Sequence, residues 1–420
     1  MNIKQALIII STVVLILSGS LTAFADGIEG QPIAENEKQN RIVTEYYTKS
    51  MLENYDTGEV QVAAGINDKI ELESKSAILI EQTTGKVLYE ENADIQMSPA
   101  SITKIMSLLL IVEDIEAGNL SLDSMIQCSE HAASMGGSQI WLEPGEQMSV
   151  NDLLKAVAIG SANDATCALG EAVAGSEEGF VTMMNNRAAE LGMKNTVFKN
   201  CSGLDTDGHV STARDIAIMS QELLKHDIIY NYTTVWMDTL RGGKTQLVNT
   251  NKLIRFYDGA TGLKTGTTNN AGCCLSASAT RNGLKLIAVI MGSDNSDKRF
   301  KSARKLLDMG FANYEFAQIE LTLPVDNIGV TNGTEKTVKL VTDSSQSFLL
   351  PKGSRSAVTI EYNLPENITS PVLEGDVIGR ANIILNGETI GEAEIRAEHG
   401  VDKMNFSRAF ARMLKYTFKM

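Results

Sequence analysis

Residues Ile105 to Val112 are apolar on nearly every face of the helix they predict, so the rest of the chain has to wrap that helix inside a domain. The helix is entered from Ser98-Pro99-Ala100-Ser101-Ile102-Thr103-Lys104, a turn of small residues. Side chains three apart share a helix face, so Ser101 and Lys104 present a hydroxyl and an amine to one space. A serine hydroxyl is a weak nucleophile, and an amine shielded from water loses its proton more readily and can act as its base. Backbone N–H groups at a helix start can steady an oxyanion. The S-x-x-K spacing alone is common; it recurs at Ser302 to Lys305, and a helix-start serine followed by a solvated lysine satisfies it equally.

A chain of 420 residues, 43% hydrophobic, has room for two domains with a sizeable core. Its net charge of −15 speaks against nucleic acid as a partner, since basic residues cluster only at the C-terminal end. Five cysteines, Cys128, Cys167, Cys201, Cys273 and Cys274, show no C-x-x-C pair, and four histidines are scattered. Buried free thiols are the expectation, with no structural metal and no cofactor.

Residues 1–25 carry Lys4, the apolar run Ala6 to Leu17 and an Ala23-Phe24-Ala25 end, which reads as a secretory signal peptide, or else a retained anchor. Either reading exports the body. Residues 26–69 are polar and weakly periodic, a spacer. A strand hairpin follows over Ser76 to Ile80 and Val87 to Tyr89. Ser149 to Leu169 is helical but broken at Gly160-Ser161-Ala162-Asn163-Asp164, which places short polar side chains on a connecting loop. Thr212 to Leu224 predicts another helix. From Gly259 the period becomes that of strands: Gly262 to Thr267, Cys274 to Thr280 and Leu284 to Met291, an antiparallel sheet edge, closed by a helix over Ser302 to Phe311. Residues 318–400 alternate apolar and polar, with a hairpin signal at Asn386-Gly387, and predict a small β-sandwich domain without chemistry of its own. In residues 401–420, Arg408, Arg412, Lys415 and Lys419 share a helical spacing while Phe406, Phe410, Met413 and Leu414 gather elsewhere. Residues 405–420 are thus expected to lie on an anionic membrane surface, the alternative being a tail helix packed on its own domain.

Three short motifs stand in order: Ser101-Ile102-Thr103-Lys104, Ser161-Ala162-Asn163 and the chain's one Lys264-Thr265-Gly266, on a helix start, a loop and a strand. Together with Gly203-Leu204-Asp205-x-x-Gly208-His209 and Asp258-Gly259-Ala260-Thr261-Gly262-Leu263, this set resembles the serine penicillin-binding proteins and β-lactamases. Within them it resembles the low-molecular-weight D-alanyl-D-alanine carboxypeptidases. The resemblance implies an α+β transpeptidase fold, an antiparallel sheet with helices over residues 70–317, followed by the small all-β domain and the C-terminal helix.

It also implies that the protein removes the terminal D-alanine from peptidoglycan D-Ala-D-Ala stems, is acylated by β-lactam antibiotics, and works at the outer face of a bacterial cytoplasmic membrane. Ser101 would be acylated with Lys104 as base, Ser161 would relay a proton to the leaving D-alanine, and Asn163 would hold the substrate amide and the Lys104 amine. Lys264 would keep the site electropositive and Lys104 neutral, Thr265 would bind the substrate carboxylate, and Gly266 and Thr267 would line the substrate. Arg299 would bind the substrate carboxylate, its alternative being a surface residue opening the next helix. The oxyanion hole would use the backbone N–H groups of Ser101 and Thr267. A β-lactamase and a non-catalytic wall-binding protein are the competing readings; no E-x-x-L-N segment lies between Asn163 and Lys264 to position a deacylating water. Ser293-Asp294-Asn295 and Ser302 to Lys305 mimic two of the motifs in the wrong order, and Asp205 with His209 invites a triad reading, although the resemblance puts both in the framework.

Overall fold

The computed structural model describes residues 70–343 and 345–418. The expected signal peptide (1–25) and spacer (26–69) lie outside the described residues.

The all-round apolar segment forms α1, Lys104–Glu116, in which every residue from Lys104 to Val112 is buried. It is surrounded by α2 (Glu130–Ala133), α3 (Val150–Ala158), α4 (Asn163–Ala174), α5 (Glu177–Glu190) and α6 (Ala213–Leu223). Four of these begin where the chain supplies a capping hydroxyl. Ser129, Ser149, Ser176 and Thr212 accept from the N–H groups of Ala132, Asp152, Gly179 and Asp215, each with an acidic residue in the first turn. Asn163 starts α4 and does not belong to the loop, which holds Ser161 and the N-cap residue Ala162.

On one side of this bundle stands a five-stranded antiparallel sheet of β1 (Ser76–Glu81), β2 (Val87–Glu91), β3 (Ala260–Thr268), β4 (Gly272–Arg281) and β5 (Leu284–Ser293), in the order β2-β1-β5-β4-β3. Side chains alternate across a strand, and here both faces are covered. Ile78, Ile80, Ile287 and Val289 join the core around α1. Ala77, Leu79, Leu286 and Ala288 meet α7 (Ser296–Asn313) through Phe300, Ala303, Leu306 and Leu307. This is why the strands read as continuous apolar runs. The edge strand β3 carries Lys264, Thr265 and Gly266 along the side of α1.

Beyond α7 the strand β6 (Tyr314–Glu320) pairs with β9 (Ser345–Pro351). Its first residues, Tyr314 and Phe316, pack on the α7 core, whereas Ala317 and Ile319 enter a second core. That core lies against a six-stranded sheet of β7 (Asn327–Thr331), β8 (Thr337–Val341), β10 (Val358–Asn363), β11 (Asn367–Thr369), β12 (Val377–Leu385) and β13 (Glu388–Ala397), ordered β10-β12-β13-β8-β7-β11. The β7–β11 pair is parallel. Asn386 at φ +52° and Gly387 at φ +85° make the two-residue turn between β12 and β13, both residues in the left-handed region that this turn demands. The described chain closes with α8, Phe406–Phe418.

Candidate active site

Ser101 lies in a single 3₁₀ turn, Ala100–Thr103, that precedes α1. Two backbone segments press against this turn at distances that only glycine permits. A Cβ on Gly203 would stand 1.9 Å from the Ala100 carbonyl oxygen, and one on Gly266 would stand 2.9 Å from the Ser101 nitrogen. The 200–204 turn and strand β3 thereby both close on the turn carrying Ser101, with Gly203 held at φ +87°.

Lys104 is fully buried. Its Nζ lies 3.1 Å from Ser101 Oγ, and it donates to Asn163 Oδ1 at 2.5 Å and to the Ser202 carbonyl at 2.7 Å. A neutral amine has two hydrogens and one lone pair. With the hydrogens on Asn163 and Ser202, the lone pair is directed at the Ser101 hydroxyl. Burial lowers this amine from the ordinary lysine value to about 7, partly offset by the nearby Cys201 thiol and Asp164 carboxylate.

Asn163 is positioned from its other end. Its Nδ2 donates to the Gly136 carbonyl at 2.6 Å, and its backbone N–H donates to the Ser138 carbonyl at 2.7 Å. The following residue, Asp164, is buried and accepts from the N–H groups of Ile140 and Leu142, so one helix start holds the 136–142 segment twice.

Lys264 is the second buried amine. It donates to Ser161 Oγ at 2.8 Å and to the Thr265 carbonyl at 3.0 Å. Its pKa is pushed well below the ordinary lysine value, first by burial, then by Lys104 and Arg299. Desolvation leads at both amines, whereas like-charge repulsion is a leading secondary cause only at Lys264. Ser161 itself sits at φ +63°, a left-handed turn position that aims its hydroxyl at the cluster.

Thr265 donates to the hydroxyl of Thr250 at 2.7 Å, and Thr267 is exposed at the strand end. Arg299 is buried and is not a surface residue at a helix start. Its Nη1 donates to the Gly266 carbonyl at 3.1 Å, to Thr267 Oγ1 at 3.2 Å and to the Cys274 carbonyl at 3.2 Å. It backs β3 and reaches the exposed edge through Thr267. The sequence motifs thus converge on one site, to which the fold adds Ser202 and Thr250. Neither carried a sequence signal, because Ser202 contributes only its backbone carbonyl and Thr250 belongs to no motif.

The segments that mimic the motifs have other uses. Asn295 caps α7, Ser302 accepts from the Glu73 N–H, and Lys305 donates to the Glu71 carbonyl. His209 is buried; its Nδ1 accepts from the Lys199 N–H, which leaves the proton on Nε2 to donate to Thr103. Burial lowers it to about 4, so it stays neutral. Asp205 accepts from Ser98, Thr268 and Asn270, so it forms no triad with His209.

Residues 60–295 match the family described as D-alanyl-D-alanine carboxypeptidase. The chain belongs to that family. Residues 323–403 match the C-terminal domain of penicillin-binding protein 5. Among curated carboxypeptidases, the chain is 44% identical over 339 residues to DacF of Bacillus subtilis (strain 168), covering 80% of this chain and 87% of that protein. It resembles the crystal structure of penicillin-binding protein 5 from Haemophilus influenzae with a TM-score of 0.68 at 31% identity, over 80% of this carboxypeptidase and 99% of that chain. Penicillin-binding protein D2 from Listeria monocytogenes, solved in an ampicillin-bound form, matches with a TM-score of 0.54 at 34% identity, over 58% of this chain and 100% of that one.

Proposed function

We propose that this serine D-alanyl-D-alanine carboxypeptidase removes the terminal D-alanine of peptidoglycan stems through an ester on Ser101. The observation that carries the assignment is the buried Lys104 amine, hydrogen-bonded to Asn163 and Ser202 with its lone pair facing Ser101 Oγ. Lys104 takes the Ser101 proton as Oγ attacks the carbonyl of the penultimate D-alanine. The backbone N–H groups of Ser101 and Thr267 receive the oxyanion. The peptide C–N bond then breaks, and the leaving amine takes a proton through Ser161, which Lys264 orients. Thr265 and Thr267 hold the terminal carboxylate, with the Arg299 charge behind them. Water hydrolyses the ester. A β-lactam enters the same pocket and leaves its acyl group on Ser101.

The substrate is outside the cytoplasm, in keeping with an exported enzyme. Helix α8 fits attachment to an anionic membrane surface: Phe406, Phe410, Met413 and Leu414 are exposed, while Arg408 and Arg412 add positive charge. No described helix is long and apolar enough to cross a membrane, so this attachment is interfacial.

Incubating the purified chain with a D-Ala-D-Ala peptide should release D-alanine, and labelled penicillin should mark Ser101. Both signals should vanish in Ser101→Ala. Absence of both in the unaltered chain contradicts the assignment, and fast turnover of penicillin makes the protein a β-lactamase.

A further inference from the structure

The cysteines carry no metal-binding spacing, yet folding collects two of them with a histidine and a carboxylate. Cys167 and Glu171 stand four apart on α4 and share a face; the thiol lies 3.8 Å from the carboxylate. His131 on the short helix α2 faces them, and a ring nitrogen of His131, Cys167 Sγ and a Glu171 oxygen all lie within 4.8 Å of one another. The Cys201 thiol acts on that of Cys167 and opposes its ionisation. Glu177, at the start of α5, accepts from the Cys201 N–H at 3.0 Å and contacts His131 Nε2 at 2.7 Å.

We propose that His131, Cys167, Glu171 and Cys201 form a zinc site. Two thiolates, an imidazole and a carboxylate are the donors that Zn²⁺ takes in tetrahedral structural sites, and the soft sulfurs disfavour magnesium and calcium. A point shared by three atoms up to 4.8 Å apart is at most about 2.8 Å from each, so a contraction of roughly half an ångström reaches zinc bond lengths. The cation displaces the two thiol protons to solvent, and Glu177 continues to hold the Cys201 backbone. Entry is from the His131 side, where the imidazole is 48% exposed, while both sulfurs are buried.

The location gives such a site a consequence. Asn163, which accepts from the Lys104 amine, is one turn from Cys167 on the same helix, and Ser202, the other acceptor, follows Cys201. Zinc therefore ties together the two segments that hold Lys104.

The test uses the full chain, reduced and stripped with a chelator, then equilibrated with Zn²⁺ and desalted. One equivalent of zinc per chain is expected, with an affinity at least tenfold weaker in His131→Ala and in Cys167→Ser and unchanged in Cys274→Ser. Unfolding by circular dichroism checks that each variant is folded. Cobalt added to the unaltered chain should give a thiolate-to-cobalt charge-transfer band, a readout that needs no variant. Uptake well below one equivalent, equal affinity in His131→Ala and Cys167→Ser, or a cobalt spectrum without the thiolate band overturns the site. So does recovery of Cys167 joined to Cys201 as a disulfide that takes up no zinc.

Discussion

Lys104 is the residue whose ordinary chemistry the fold changes most. A lysine in water keeps its proton at neutral pH, and only removal of water brings the amine down to about 7. The sign of the pH dependence follows. As base, Lys104 has to be unprotonated, and that fraction grows as pH rises through about 7 and is lost below it. Acylation by labelled penicillin should therefore rise with pH by up to about tenfold per unit below the midpoint and level off above it. A rate constant flat through neutrality contradicts the base role. Replacing the amine altogether, Lys104→Ala, should slow acylation by roughly 10²–10⁴-fold, measured in single turnover, while the protein still folds. The pairing of Ser101 with Lys104 was readable from their spacing and from the apolar helix behind them. The clamp on the amine was not, since Asn163 and the Ser202 carbonyl arrive from 59 and 98 residues away.

Between elements, the decisive contacts are close approaches of backbone. The 3₁₀ turn carrying Ser101 is gripped by Gly203 and Gly266, and no side chain fits in either gap. Gly203→Ala would place a methyl group into the Ala100 carbonyl at a left-handed backbone position. It should destabilise the protein by about 1–3 kcal/mol, and the shifted turn should lower acylation by ten- to a hundredfold. Wild-type acylation in a folded Gly203→Ala protein would show that the turn tolerates the displacement. The sequence marked several elements well: the helix start at Ser149, the Asn-Gly hairpin and the three strands from Gly262 to Met291 were all legible because their signals are local. The 3₁₀ entry to α1 was not, since it is imposed by the two glycines pressing on it from distant segments. Arg299 could be read either as a carboxylate ligand or as an exposed helix start, and burial behind β3 decides against exposure.

The described residues form a cored body that holds the site, a β domain with a core of its own, and a terminal helix. Because Ile383 belongs to that second core and is fully buried, Ile383→Ala should cost the β domain about 2–5 kcal/mol, seen in thermal unfolding, yet leave penicillin acylation at room temperature intact. Strand β6 complicates the division. The sequence boundary after residue 317 falls inside this strand, which serves both cores, because a change of composition marks a domain only where the chain does not run straight through it. The terminal helix has its own test. Removing residues 405–420 should abolish co-sedimentation with anionic vesicles and leave D-alanine release from a soluble peptide unchanged. In the unaltered chain, binding should weaken as salt rises. Equal sedimentation with and without the segment contradicts membrane attachment.

The order of Ser101-x-x-Lys104, Ser161-x-Asn163 and Lys264-Thr265-Gly266 was enough to read the family by resemblance and to propose Ser101 as the acylated residue, and short-range periodicity marked the sheet and its helices. Lys104 began as a lysine that a solvated helix face would explain equally well. Its burial, its acceptors and its lowered pKa come from segments that meet only when α1 is enclosed. The same holds for His131, Cys167 and Glu171, whose side chains meet only because α2 and α4 pack side by side. Spacing along a chain carries information about neighbours within one element, whereas desolvation and convergence of distant donors are properties of the packed core.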